Sequence, residues 1–357
     1  MDGKLAMMVA ALAVTGCAPR PMASVGDAVV APAGLADVDP ARRAAVEALL
    51  EKHGVPGLQL VDLEACRPVA ALEAGTAIVE NATPVARDTL FEAASLSKTV
   101  FAYLVMTLVD DGVIDLDRPL ATDGFAYPRI VDQQSYAKLT PRLLLSHRSG
   151  LPNWAGNPLT AGAAPPIEFE EPVGTYVYSG EGIQLLQAYV EWKTGRTLPD
   201  LFGALLGADM PHSQFAGPVP PGARASRGYG NGSSRPLMQV EGNGVAAASL
   251  LTTAEDFSHF VSRVCRGEGL STAAHAEMLS VQSDWYEDVG LPTARLIGWS
   301  TVRLGGRDLV AHTGNNGQYR SLAMFDPQTG DGMVVTTNGE NGTDLILDLL
   351  GLGESAR

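Results

Sequence analysis

The placement of strand-like segments constrains the fold of this chain most, because they lie near its two ends and fade between them. Near each end, apolar and β-branched runs are separated by short turns, which is typical of β-hairpins. The predicted strands are 58–63, 69–77, 298–304, 308–312, 320–325 and 332–337. Residues 113–250 instead indicate short helices between Gly- and Pro-rich loops. We therefore predict an α+β fold, in which an antiparallel sheet built from both ends is flanked by helices and a mostly helical domain is inserted.

Helix starts are marked by capping residues that precede apolar runs. Asp39-Pro40 and Thr140-Pro141 each place a cap residue before a proline at the first helical position. Thr252-Thr253-Ala254-Glu255 has the form of a capping box. With the apolar periodicity, these signals predict helices over residues 40–51, 95–112, 182–194 and 343–350, and helices that begin near 141 and 254.

The first residues predict an export signal. Lys4 precedes an apolar segment, residues 5–14, that is too short for a permanent membrane span. The segment ends in Val14-Thr15-Gly16-Cys17, which resembles a bacterial lipobox, in which Cys17 would be lipidated and become the new N-terminus. An ordinary secretory signal is the alternative. The lipobox interpretation predicts a lipid-anchored, periplasm-facing protein of the bacterial cell envelope, with membrane contact only through Cys17.

The same patterns predict the domain organisation. It comprises a lipoprotein-type signal peptide over residues 1–17, a flexible tether over 18–37, an α/β domain over 38–94 and 250–353, and a mostly helical inserted domain over 95–249.

Charge and composition exclude several classes of function. The net charge of -15 argues against nucleic acid as a partner, because nothing in the chain would neutralise phosphates. The six histidines lack metal-ligand spacing, so we expect neither a metal nor another cofactor. Beyond the lipobox, Cys66 and Cys265 remain, and they could form a disulfide or be separate buried thiols.

Ser95 and Lys98 are the first candidate catalytic pair. They stand three residues apart at the start of an apolar helix, which places them one turn apart on the same face. A serine becomes a good nucleophile when a nearby base takes its proton, and a lysine can act as that base where burial or a second cation favours its neutral form. A second Ser-x-x-Lys pattern, Ser135 to Lys138, lies in a polar stretch without an apolar helix behind it.

Two further motifs follow in order: Tyr178-Ser179-Gly180 and His312-Thr313-Gly314. With Ser95-Leu96-Ser97-Lys98 they resemble the motif set of the serine penicillin-recognising hydrolases, which include class C β-lactamases, DD-peptidases and related esterases. The resemblance covers almost everything after residue 38. It implies the β-lactamase/DD-peptidase-like fold.

The resemblance also implies roles for these residues. Ser95 would attack a carbonyl to form an acyl-enzyme, and Lys98 would share its proton with Tyr178, the general base. The backbone N–H groups of Ser95 and Asn315 would form the oxyanion hole. The remaining motif residues would bind substrate: His312, Thr313, Gly314 and Gly180.

Two motif positions depart from the family pattern. Gly180 stands where lactamases and DD-peptidases usually carry an asparagine that binds the substrate amide, which puts efficient β-lactam turnover in doubt. His312 replaces the more usual lysine, so the affinity for carboxylate-bearing substrates is expected to weaken as His312 deprotonates.

These motifs predict a serine hydrolase that acts through an acyl-enzyme on amide or ester bonds. A D-Ala-D-Ala carboxypeptidase-like activity is the first prediction. A carboxylesterase on a β-lactamase-like scaffold is the alternative, and a non-catalytic binder of cell-wall peptides is a third hypothesis. The predicted partner is a small peptide, β-lactam or ester substrate.

Overall fold

A computed structural model describes residues 35–156, 164–288 and 290–352. The predicted signal peptide, Cys17 and residues 18–34 of the predicted tether lie outside the described residues. The strands are β1 (Ala36–Asp37), β2 (Gly57–Glu64), β3 (Arg67–Ile78), β4 (Thr83–Pro84), β5 (Phe91–Glu92), β6 (Arg227–Gly230), β7 (Ser233–Pro236), β8 (Leu251–Thr252), β9 (Tyr286–Asp288), β10 (Leu291–Arg295), β11 (Ser300–Leu304), β12 (Arg307–Asn315), β13 (Arg320–Phe325) and β14 (Gly332–Thr337).

The main sheet joins the two ends of the chain. Its strand order is β1-β3-β2-β14-β13-β12-β11-β10-β9, with β4 paired to β3. β14 pairs antiparallel with β2, where Val334 lies opposite Val61. Only the β1–β3 pair is parallel among these strands, and the sheet therefore begins within the last residues of the predicted tether. The predicted α+β fold with an antiparallel sheet is confirmed.

The centre of the sheet is buried on both faces because its middle strands are apolar at odd and even positions alike. In β2, Leu58 and Leu60 pack into one cluster, while Val61 and Leu63 pack into another on the opposite face. This follows from the two-residue side-chain period of a strand. Helices must therefore cover both faces.

The helices are α1 (Pro40–His53), α2 (Ser97–Asp110), α3 (Gln133–Tyr136), α4 (Pro141–Leu145), α5 (Gly180–Thr194), α6 (Leu198–Leu206), α7 (Ala254–Arg266), α8 (Thr272–Met278) and α9 (Gly342–Leu349). α1 and α9 cover one face of the sheet, and α7 covers the other. α2 is apolar around its whole circumference and is buried from Ser97 to Leu108. None of the helices in the described ranges is long and apolar enough to cross a bilayer.

Two hairpins differ from the sequence prediction. β6 and β7 pair through residues that are mostly glycine, serine and arginine, and β9 and β10 form the edge of the main sheet. Neither shows the alternation of apolar and polar residues on which strand prediction depends. They are held as strands by their partners rather than by local propensity.

The start of α7 also differs in detail. Thr253 caps the helix by accepting the N–H of Asp256, whereas Thr252 belongs to β8. The Asp256 carboxylate accepts the N–H of His212 and the hydroxyl of Ser213, so it serves a neighbouring loop instead of completing a reciprocal capping box.

A disulfide joins Cys66 to Cys265 and so settles the alternative left open by the sequence. Cys66 lies in the two-residue turn between β2 and β3, where Ala65 and Cys66 both adopt positive φ. Ser262, one turn before Cys265 on α7, donates a hydrogen bond to the Cys66 carbonyl. The bond therefore fastens the sheet to the helix that covers it.

We expect the disulfide to contribute about 2–5 kcal/mol to the free energy of unfolding, because it closes a long loop in the unfolded chain. Its two cysteines are separated by 199 positions. Cys66→Ser and Cys66→Ser/Cys265→Ser should lower the urea midpoint equally, and reductant should lower that of the wild type to match. A double variant as stable as the oxidised wild type would contradict this expectation.

Candidate active site

Ser95 lies on a sharp turn between β5 and α2. Ala94 has φ +51°, an unfavourable value for a residue with a Cβ, and a 3₁₀ turn over Ala94–Leu96 leads into α2 at Ser97. Ala94 and Leu96 are buried, whereas Ser95 is partly exposed. The turn therefore leaves one hydroxyl partly exposed, just before the helix rather than within it.

Lys98 is buried beside this hydroxyl. Its Nζ donates to Ser95 Oγ at 3.0 Å and to the Ala247 carbonyl at 2.7 Å. The Ala247 N–H in turn donates to Gln184 Oε1 on α5 at 3.3 Å. The predicted Ser95–Lys98 contact is present, and a backbone carbonyl held by α5 helps to orient the lysine.

Tyr178 lies next to the lysine, immediately before α5. Lys98 Nζ is 4.9 Å from the centre of its ring, and the Arg295 guanidinium is 5.4 Å away. Ser179 caps α5 by accepting the N–H of Gly182 at 2.8 Å, and its own hydroxyl donates to the Pro152 carbonyl. The second motif is thus held at a helix start, with Tyr178 between two cations.

His147 supports the tyrosine from another side. Its ring lies 4.3 Å from the Tyr178 ring, and its Nδ1 accepts the Ser179 N–H at 3.1 Å. Burial, with the nearby charges of Arg295 and Lys98, holds the pKa of His147 well below its ordinary value. His147 was not predicted as a site residue, although it lies within the part of the chain that the family resemblance covers.

The third motif crosses directly over the Ser95 turn. A Cβ at Gly314 would come within 2.1 Å of Ser321 Oγ and 2.4 Å of the Ala93 carbonyl. Ser321 also donates to that carbonyl at 2.8 Å. Only glycine permits this approach, which brings the strand end that carries Asn315 close to the Ser95 turn.

One edge of this strand end is free. β11 pairs with β12 only as far as Ala311, so residues 312–315 have no partner on that side among the strands of the described ranges. Thr313 and Asn315 are exposed, while His312 and Gly314 are buried. The predicted strand beside the substrate therefore offers unpaired backbone groups.

His312 differs from its expected behaviour. Its Nδ1 lies 2.7 Å from the Thr313 carbonyl, which can only accept, so the ring proton is on Nδ1. Burial, reinforced by the charges of Arg295 and Lys98, lowers the pKa of His312 to about 3. The expected loss of carboxylate affinity through deprotonation across neutral pH is therefore wrong, since His312 is already neutral there.

Arg295 supplies the positive charge that the third motif lacks. It lies on β10, is buried, and donates to Ser300 Oγ at 2.7 Å and to the Tyr176 hydroxyl. Its guanidinium is also 5.0 Å from the Tyr176 ring and 5.6 Å from the Tyr286 ring. The sequence offered no signal for this residue, because β10 was not predicted.

Gly180, the remaining motif residue, is the first residue of α5, and its N–H is bonded to the Asn153 carbonyl at 3.0 Å. The second Ser-x-x-Lys pattern lies elsewhere, with Ser135 in the short helix α3 and Lys138 exposed. No cluster of three or more metal-ligating side chains occurs in the part of the chain that the structure describes.

The neutral, buried His312 should make the protein sensitive to acid. Between pH values of about 6.5 and about 3 the unfolded chain binds a proton at this position that the folded chain does not, so the free energy of unfolding falls as the pH drops. His312→Gln should reduce this fall in urea titrations between about pH 7 and about pH 4. An unchanged slope in His312→Gln would contradict the prediction.

Comparisons with known proteins agree with this geometry. Residues 42–352 match the family model Beta-lactamase, while no curated protein matches the chain. An octameric penicillin-binding protein homologue from Pyrococcus abyssi is 20% identical, with 88% of this chain and 78% of that chain covered and a TM-score of 0.74. A class C β-lactamase is 18% identical, with coverages of 88% and 98% and a TM-score of 0.73. The D-alanine carboxypeptidase AmpC from Burkholderia cenocepacia is 19% identical, with coverages of 87% and 97% and a TM-score of 0.68.

The resemblance stated from the motifs is thus confirmed: the chain belongs to the β-lactamase family and is a serine hydrolase of the β-lactamase and penicillin-binding-protein superfamily.

Proposed function

We propose that this serine hydrolase cleaves uncharged esters through an acyl-enzyme at Ser95. The observation that carries the proposal is the neutral, buried His312 in the third motif, together with the absence of a side chain at Gly180. A charged third-motif residue would favour a carboxylate, and a side-chain amide at 180 would favour an amide substrate. This site has neither of them.

The chemistry follows from the arrangement around Ser95. Tyr178 takes the proton of Ser95 Oγ through Lys98, and the oxygen forms a bond to the ester carbonyl carbon. The N–H groups of Ser95 and Asn315 bind the resulting oxyanion. The C–O bond to the alcohol then breaks, and Tyr178 returns the proton to the departing oxygen. Water repeats the sequence on the acyl-enzyme and releases the acid.

Lys98 and Arg295 both lie near Tyr178, the proposed general base. Both cations lie within about 5.5 Å of the centre of its ring, close enough to interact with it electrostatically. Arg295 performs the electrostatic task that a lysine in the third motif would otherwise perform. Its charge is constant near neutral pH, unlike that of a histidine.

The test incubates the protein and its Ser95→Ala variant separately with p-nitrophenyl butyrate and with a fluorescent penicillin. We expect ester hydrolysis that falls by about 10³-fold or more in Ser95→Ala, and a similarly large loss in Tyr178→Phe. Tyr136→Phe, remote from the site in α3, is the matched control. Strong Ser95-dependent penicillin labelling without ester turnover would overturn the ester proposal.

A D-Ala-D-Ala carboxypeptidase-like activity is the second candidate, and Arg295 favours it. Its guanidinium is a fixed positive charge near His312 and could attract a terminal carboxylate. Against it, the guanidinium is buried and already bonded to Ser300 and Tyr176.

The two candidates are separated by an acyl-D-Ala-D-Ala peptide and its C-terminal amide. If the second candidate is correct, Arg295→Gln should reduce kcat/KM for the acid about tenfold more than for the amide, because only the acid loses a charge contact. Since both substrates need Tyr178, the ratio removes any effect on the base. An unchanged ratio, or no release of D-Ala by the wild type, would exclude this candidate.

We also propose that the protein faces the periplasm and is anchored by a lipid on Cys17. The proposal rests on the Val14-Thr15-Gly16-Cys17 motif, and the Cys66–Cys265 disulfide supports an oxidising compartment. The proposed partner is a small ester or peptide, and the net charge of -15 makes nucleic acid an unfavourable one. Mass spectrometry of the mature N-terminus tests the anchor.

A further inference from the structure

A cavity of about 670 Å³ lies beside β5, the strand that leads into the Ser95 turn. Its lining includes Glu92, Trp154, Met238, Val245, Ala248 and Asn316. Three of these residues are close in sequence to the catalytic groups. Glu92 precedes Ser95 by three positions, Ala248 follows the carbonyl that binds Lys98, and Asn316 follows Asn315. The cavity is therefore placed to receive one side of a substrate bound at Ser95.

The charged groups in its wall are already paired. The side chain of Glu92 is fully buried and accepts hydrogen bonds from Arg235, from the Met238 N–H at 2.7 Å and from Asn316 Nδ2 at 2.9 Å. Arg235 also donates to the Asn316 carbonyl at 2.8 Å. Because these groups bind one another, most of the surface they leave to a ligand is apolar.

Trp154 closes the side of this cavity nearest to the second motif. A Cβ at Gly180 would lie 2.6 Å and 2.7 Å from two carbons of the indole, and 2.8 Å from the Asn153 carbonyl. Contacts under 3.0 Å would force the indole or the Asn153 backbone to move. The indole and a side chain at position 180 thus compete for the same space, two residues away from Tyr178.

We propose that Trp154 is a specificity-determining residue, whose indole replaces a polar side chain at position 180 and selects substrates with an apolar aliphatic or aryl acyl group. This inference rests on the proposed function, because the acyl group must be attached to Ser95. The indole contributes a broad apolar face at low cost in conformational entropy, and Met238, Val245 and Ala248 extend that face.

The acyl preference is measured with p-nitrophenyl acetate and p-nitrophenyl phenylacetate, which share a leaving group. We expect Trp154→Ala to lower kcat/KM for the phenylacetate by about 10- to 100-fold and to change that for the acetate by less than about threefold. The matched control is Trp192→Ala, which removes a half-exposed tryptophan from the outer side of α5. Equal effects of Trp154→Ala on the two esters would overturn the proposal.

The competition for space is tested separately with Gly180→Ala, made with and without Trp154→Ala. We expect Gly180→Ala to lower the Tm more in the presence of Trp154 than in its absence, because the added methyl group meets the indole. Additive effects on Tm would overturn the shared-space argument. This measurement needs no substrate and remains decisive if a variant is inactive.

Failure of this inference differs from failure of the proposed function. If the wild type cleaves p-nitrophenyl acetate and Ser95→Ala does not, the proposed function stands. An acyl preference unchanged by Trp154→Ala then refutes the role of Trp154 alone. If neither ester is cleaved by the wild type, the proposed function fails first.

Discussion

The close crossing of β12 over the Ser95 turn is the constraint on which the rest of the site depends. The Gly314 backbone lies against the Ala93 carbonyl and Ser321 Oγ, so no side chain can stand between the strand and the turn. Ala94 accepts positive φ at the same place. The sheet thus holds the strand end that we propose to bind the oxyanion at a set distance from Ser95, and acyl transfer requires such preorganisation.

The charges around Tyr178 depend on which of its neighbouring side chains are buried. Two buried side chains, Lys98 and Arg295, contribute positive charge here, and burial together with that charge lowers the pKa of both nearby histidines. The positive charge is therefore concentrated beside one tyrosine instead of being shared among several groups. The low pKa values of the two buried histidines make the folded state sensitive to acid.

Two different parts of the structure are available for substrate recognition. On one side, the free edge of β12 offers backbone groups that any acyl donor can use. On the other, Trp154 and the paired Glu92–Arg235 charges leave an apolar cavity. In the proposed mechanism, chemistry and specificity are therefore carried by different elements.

Much of the fold was accessible from the sequence because the signals are local. Alternation and turns predicted β2, β3, β13 and β14 to within a residue or two, and Thr140-Pro141 and Gly195 marked helix ends correctly. The β6–β7 and β9–β10 hairpins were missed, since their polar residues become strands only through pairing. The sequence also brought Ser95, Lys98, Tyr178 and the His312 motif together as candidates, because each lies in a short motif.

Only the tertiary structure decided which residues distant in sequence are in contact. The sequence by itself determined which groups can react, since the three-residue spacing of Ser95 and Lys98 across the turn that leads into α2 is a local property. Arg295 reaches Tyr178 across 117 positions, Trp154 occupies the space above Gly180, and Cys66 meets Cys265. The neutrality of His312 is likewise a product of burial and of charges on other elements. Such features depend on packing in three dimensions, so no pattern along the chain records them.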